Sequence, residues 1–183
     1  LLEPQAISRS VGEFTADRKR QTVLIAHGSL SQQQESQADL SIAASVLSVT
    51  GVSPALWLEA TADALHAGTI AIIGSVAGDR GRKKNYIYGA AKGLIEGMAQ
   101  GLQHRLAGSS IRVVLVKPGP TDTPMTAQLT ETGTSLASVE SVAQEIVSGI
   151  NAGKPVVYAP AKWRIIMAII RLIPAPIFNR LNL

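Results

Sequence analysis

Residues 72–92 read IIGSVAGDRGRKKNYIYGAAK, and this stretch decides how the rest of the chain is read. It continues an apolar run from Thr69 to Ile73, a short buried strand that delivers Ser75 at its C-terminal end. A basic loop with glycines follows, then a helix start rich in small residues that carries Tyr88 and Lys92. Four residues apart on a helix, these two side chains share one face. A phenol near pKa 10 is a poor acid–base group at neutral pH, and an adjacent ammonium is expected to lower that value by favouring the phenolate. A serine hydroxyl from the neighbouring strand can hold a carbonyl or alcohol oxygen while the phenol exchanges its proton. Spacing alone does not define such a site. Tyr158 and Lys162 are also four apart, yet Pro160 lies between them and no strand ending in serine precedes them.

Outward from this stretch the chain alternates strands and helices. Residues 5–16 predict a helix with Ala6, Ile7, Val11 and Phe14 on one side, and Thr22–Ala26 a continuous, buried parallel strand ending at His27-Gly28-Ser29. A glutamine-rich polar segment leads to helices over about 38–47 and 53–66, with Pro54 in a first turn and Gly68 closing the second. A helix from Tyr88 to Leu106, a strand over 111–116, a helix over 139–151 and a short strand at 156–158 follow. The order implies an α/β, Rossmann-like parallel sheet with helices on both faces, and ligands at the C-terminal strand ends where Gly28, Ser75 and Pro118-Gly119 fall. Met125 to Leu136, polar and glycine-bearing, suits a flap over the substrate.

The 183 residues are expected to form one domain, residues 161–183 being an apolar and basic tail. Hydrophobic residues make up 46% and charged residues 16%, the balance of a globular protein. There is no cysteine, which excludes disulfides, thiol nucleophiles and zinc–cysteine sites; His27, His66 and His104 are scattered, so no metal is implied. A net charge of +4 permits contact with phosphates or anionic lipid. With 4% aromatic residues and no basic stripe interleaved with them, nucleic-acid binding finds no support.

Ser75 followed by Tyr88-x-x-x-Lys92, the run Tyr88-Gly89-Ala90-Ala91-Lys92 and Pro118-Gly119 after the next strand resemble the short-chain dehydrogenase/reductase family. That resemblance implies an oxidoreductase that interconverts a carbonyl and a secondary alcohol with NAD(P)(H), without distinguishing NAD from NADP. By the resemblance Tyr88 transfers the proton, Lys92 tunes it and contacts the nicotinamide ribose, and Ser75 positions the substrate oxygen. Gly28, Pro118, Gly119, Thr121 and Thr123 border the cofactor, Thr121 through backbone groups and Thr123 through its hydroxyl. The family's relay asparagine falls on Ser48, in Ser48-Val49-Thr50-Gly51, and of its Asn-Ala-Gly strand end only Gly28 is kept. The family commonly dimerises through the helix that bears Ala90, Ala91, Gly93, Gly97 and Gly101, which implies a homo-oligomer.

A dinucleotide site of this type needs a glycine-rich turn between a first strand and helix. Before Thr22 the only glycine is Gly12, so the expectation is a partial domain whose N-terminal strands lie upstream. Two further features refine the resemblance. Arg80, Arg82, Lys83 and Lys84 lie between Ser75 and Tyr88, where they suit a clamp for an anionic substrate. Residues 163–173 are nearly all apolar, too short to span a bilayer, and flanked by Lys162, Arg164, Arg171 and Arg180, a pattern that suits a membrane surface. Together they are similar to decaprenylphosphoryl 2-keto-erythro-pentose reductases, implying a keto sugar on a lipid phosphate and a cytoplasmic protein, peripheral at the inner membrane face. The alternative is a catalytically silent fragment acting as an interaction or membrane-surface module.

Overall fold

A computed structural model describes residues 2–17, 19–127 and 135–182. Four parallel strands, β1 (Gln21–Ile25), β2 (Gly68–Ile73), β3 (Ile111–Pro118) and β4 (Val156–Ala159), form one sheet in the order β1-β2-β3-β4. Register runs from Gln21 opposite Gly68, through Gly68 opposite Ile111, to Leu115 opposite Val156. Because all strands are parallel, their C-terminal ends lie along one edge, and Gly28, Ser75 and Pro118-Gly119 follow or end strands there.

Alternation along the strands separates two cores. Ile70, Ile72, Val113 and Leu115 face α4 (Ser53–Ala64) and α5 (Tyr86–Arg105), where Leu58, Ala62, Ile95, Ala99 and Leu102 complete a buried cluster. Ala71, Val114, Val116 and Val157 face the other way, onto Ile146 and Ile150 of α6 (Val139–Asn151). Helix α1 (Pro4–Thr15) rests on α4 through buried Ile7 and Val11. The chain ends in α7 (Lys162–Leu172) and the short α8 (Ala175–Phe178).

Two differences from the sequence reading have clear causes. The glutamine-rich segment is a short helix, α2 (Gln33–Ala38), held by a capping box between Gln32 and Glu35. The helices expected over 38–47 and 53–66 are one run: α3 (Leu40–Leu47) continues through a π-helical turn, Ser48–Val52, into α4. Pro54 has no N–H to give Thr50, and its ring would clash with that carbonyl in regular α-geometry. The turn widens one residue earlier, where the Ser53 N–H reaches the Ser48 carbonyl.

Candidate active site

Ser75, Tyr88 and Lys92 meet because two glycines let the post-β2 loop lie directly on α5. A Cβ on Gly89 would stand 2.8 Å from the Ala77 carbonyl oxygen, and one on Gly78 would stand 2.9 Å from the Lys92 carbonyl carbon. Neither position tolerates a larger residue without moving the loop. Ser75 caps the short turn it opens, accepting the Ala77 N–H at 3.1 Å. On the far side of α5, Gly51 of the π turn packs against Ala91, next to Lys92.

Lys92 is 5% exposed and lacks a carboxylate partner among the described residues. Its ammonium donates to the Ile73 carbonyl at 2.7 Å and lies 5.7 Å from the centroid of the Tyr88 ring. Burial lowers its pKa from 10.5 to about 8. Of three N–H donors, one is used by protein among the described residues. The two others fit acceptor oxygens brought by a ligand, which is what a nucleotide ribose would supply at this position.

Tyr88 departs from the sequence expectation. Burial raises its pKa above 10, opposed by hydrogen bonding with Ser75. Desolvation of the phenolate therefore outweighs the help expected from Lys92. The phenol is held protonated, the state that can donate to a carbonyl oxygen.

Gly28 follows β1 beside these groups; a Cβ there would lie 3.7 Å from Lys92 Nζ and 3.6 Å from Thr50. Thr50, fully buried, accepts the Ser29 N–H at 2.8 Å and donates to the Ser29 carbonyl at 2.7 Å, fixing the strand end. The sequence reading missed it because threonine in an apolar helix carries no distinctive pattern. His27 Nε2 is 2.9 Å from the Ser53 hydroxyl, and burial together with the Lys92 charge lowers the histidine's pKa. Ser48 is not drawn into this group. It opens the π turn, half-buried, and no hydrogen bond joins its side chain to Lys92 or Tyr88 among the described residues.

Pro118-Gly119 ends β3 on the same edge. The Gly119 N–H donates to the Ala159 carbonyl at 2.9 Å, and the Trp163 indole fills the space where a Cβ would be, 2.0 Å from its Nε1. Thr121 donates to the Gly119 carbonyl at 3.0 Å. Thr126, absent from the sequence reading, organises the rest. Its hydroxyl donates to the Thr121 carbonyl and accepts the Thr123 N–H at 3.1 Å, and the Thr123 hydroxyl is 3.1 Å away. The Thr121 carbonyl and Thr123 hydroxyl are thus both engaged within the loop. Residues 128–134 of the expected flap lie outside the described residues.

The basic loop is also less open than its sequence implies. Arg80 turns onto the end of α7, donating to the carbonyls of Ile170 at 2.5 Å and Ile173 at 2.6 Å, with its guanidinium 3.7 Å from the Phe178 ring centroid. Lys84 donates to the Asn182 carbonyl at 3.4 Å. The loop that starts at Ser75 is therefore tied to the tail.

A parallel Rossmann-like sheet with serine, tyrosine and lysine converging at its C-terminal edge defines an oxidoreductase-type α/β domain. The profile of the short chain dehydrogenases matches residues 5–134, and the chain belongs to that family. It is 31% identical to the "uncharacterized oxidoreductase in mprA 5'region" of Streptomyces coelicolor, over 98% of this chain and 72% of that protein. It is also 31% identical to an uncharacterised oxidoreductase of Mycobacterium tuberculosis H37Rv, over 87% of this chain and 65% of that protein. Among solved structures, a short chain dehydrogenase from Burkholderia cenocepacia in complex with NADP superposes with a TM-score of 0.79 at 19% identity, over 100% of this chain and 76% of its own. BdcA in complex with NADPH gives 0.71 at 19% identity, over 86% and 71%.

Proposed function

We propose that the protein is an NAD(P)-dependent oxidoreductase that interconverts a carbonyl and a secondary alcohol. The observation that carries this reading is the buried Lys92 ammonium, with two open N–H donors beside a protonated Tyr88 and the Ser75 hydroxyl. When bound, a reduced nicotinamide supplies the hydride. Tyr88 donates its proton to the substrate oxygen, Ser75 holds that oxygen by hydrogen bonding, and Lys92 binds ribose hydroxyls while its charge stabilises the phenolate left behind. Gly28 and Pro118-Gly119 border the nicotinamide, with the Thr121–Thr126 turn alongside.

The test is full-length protein assayed for oxidation of NADPH and NADH against a panel of ketones, with Tyr88→Phe as control. Turnover in the wild type that survives in the variant would sink the mechanism.

We further infer a substrate carried on a lipid phosphate and a membrane-surface location. The outer face of α7 exposes Ile165, Ile169 and Leu172, at 68%, 60% and 82%. Residues 162–182 contain four cations and no carboxylate side chain, and Lys83 and Lys84 are exposed on the adjoining loop. An apolar stripe bordered by cations suits the interface of an anionic bilayer. Co-sedimentation with phosphatidylglycerol vesicles, lost in Ile165→Ser/Ile169→Ser, is the expected result; equal pelleting of both proteins would count against it. Preference for a keto sugar on a polyprenyl phosphate over the free keto sugar would support the substrate class. Self-association through α5 is supported by Gly97 and Gly101, where an added Cβ would meet nothing within 4 Å.

A further inference from the structure

Behind the proposed site lies a group of charges that the proton transfer does not use. Lys117 is the residue before Pro118, and its side chain is 3% exposed. Its ammonium donates to Asp79 Oδ1 and, at 2.7 Å, pairs with Glu96 Oε1. The Asp79 side chain is 0% exposed and Glu96 15%. Tyr158 of β4 donates its hydroxyl to Asp79 Oδ2 at 3.2 Å, and the Lys117 ammonium lies 5.4 Å from the centroid of that ring. Arg82 stands close enough to Asp79 for the carboxylate to favour its charge.

The partners come from the Ser75 loop, α5, β3 and β4. Asp79 follows Ser75 by four residues, on the loop laid over α5. Glu96 is four residues after Lys92 and eight after Tyr88, so the three share one face of α5. Lys117 leads into the Pro118-Gly119 turn, and Tyr158 precedes the Trp163 indole that covers Gly119.

We infer that Lys117, with Asp79 and Glu96, is a positioning device that fixes the Ser75 loop, the Tyr88–Lys92 face of α5 and the Pro118-Gly119 turn in one geometry. Stability alone is a weak reason for such a cluster, because buried ion pairs can often be replaced by apolar groups without loss. Geometry is a better one. A carboxylate and an ammonium sealed from water hold their hydrogen-bonded separation far more tightly than apolar contacts that can slide. Here they join three segments that carry separate parts of one reaction centre. Burial opposes the Lys117 charge, but the hydrogen bonds it donates to Asp79 and Glu96 outweigh it, and the pKa is raised.

This inference rests on the reductase reading only for its purpose, so its test has a readout that needs no turnover. Hydrogen exchange of the full-length protein is compared between wild type, Lys117→Met and the milder, isosteric Glu96→Gln. Exchange is expected to quicken at least tenfold in peptides covering 75–79 and 119–123 in both variants, while in Glu96→Gln peptides covering 70–72 and 113–116 keep their protection. Once turnover is established, kcat per folded molecule should fall at least tenfold in Lys117→Met with KM for the ketone little changed, and Lys117→Arg should restore part of it. Unchanged loop exchange in a folded variant overturns the inference whether or not the wild type is a reductase. So does uniform loosening of the whole sheet in Glu96→Gln, which would mark the cluster as a general stability element.

Discussion

Two lysines lie buried near the C-terminal edge of this sheet, and their surroundings are opposite. Lys117 sits between two carboxylates, and the pair interactions overcome burial to raise its pKa. Among the described residues Lys92 has one backbone carbonyl and no carboxylate, and burial pulls it down to about 8. An ammonium satisfied by its own protein holds the fold in place. One left partly unsatisfied is available to a ligand, at a cost in stability that the folded chain carries until the ligand arrives. On the proposed reading, the difference separates a lysine that positions from a lysine that binds.

The largest effect is expected at the phenol. Tyr88→Phe should lower turnover by roughly 10²–10⁴-fold, the usual worth of a positioned acid–base group, with an unchanged circular dichroism spectrum. Retention of more than a tenth of the activity would remove the phenol from the reaction.

Stability measurements on the two lysines should then move in opposite directions. Lys117→Met strands the buried Asp79 carboxylate and the partly exposed Glu96 and is expected to cost about 3–5 kcal/mol. Lys92→Met removes a buried charge that has no carboxylate partner among the described residues and is expected to stabilise the cofactor-free protein by about 1–3 kcal/mol while abolishing turnover. Urea titrations of both variants decide this, and a fall in stability for Lys92→Met would mean that the ammonium is satisfied after all.

The pH dependence sharpens the same contrast. Below pH 8 Lys92 is charged in the folded and unfolded chains alike, and the burial penalty is present in full. Between about 8 and 10.5 the unfolded chain binds more protons, so stability from this group rises with pH, by about 3 kcal/mol in total. Lys117 has the reverse sign: its contribution is complete below 10.5 and is lost as pH climbs through its raised folded value. Wild type should gain stability relative to Lys92→Met between pH 7 and 9.5. Parallel curves would contradict the depressed value.

The smallest effect belongs to the second tyrosine–lysine pair. Tyr158→Phe loses one hydrogen bond to Asp79 and is expected to cost about 1–2 kcal/mol, whereas Lys162→Ala, on an exposed residue, should change thermal stability little. A turnover loss as large as that of Tyr88→Phe would show that the two tyrosines had been assigned the wrong way round.

The sequence by itself determined the parallel sheet, the strand that ends in Ser75 and the helix that places Tyr88 and Lys92 on one face. These follow from hydrophobic runs, strand-end glycines and helical spacing, all local in the chain. The extent of α6, Val139–Asn151, is likewise written in the spacing of Val142, Ile146 and Ile150. Tertiary structure alone decided which charges meet. Asp79 and Lys117 are 38 residues apart, and Arg80 and Ile173 are 93 apart, separations over which charge pattern carries no distance information. It also decided the pKa values, because burial is a property of the packed chain. For that reason Tyr88, expected to be eased toward phenolate by its neighbour, is instead held as a phenol by the desolvation that packing imposes on it.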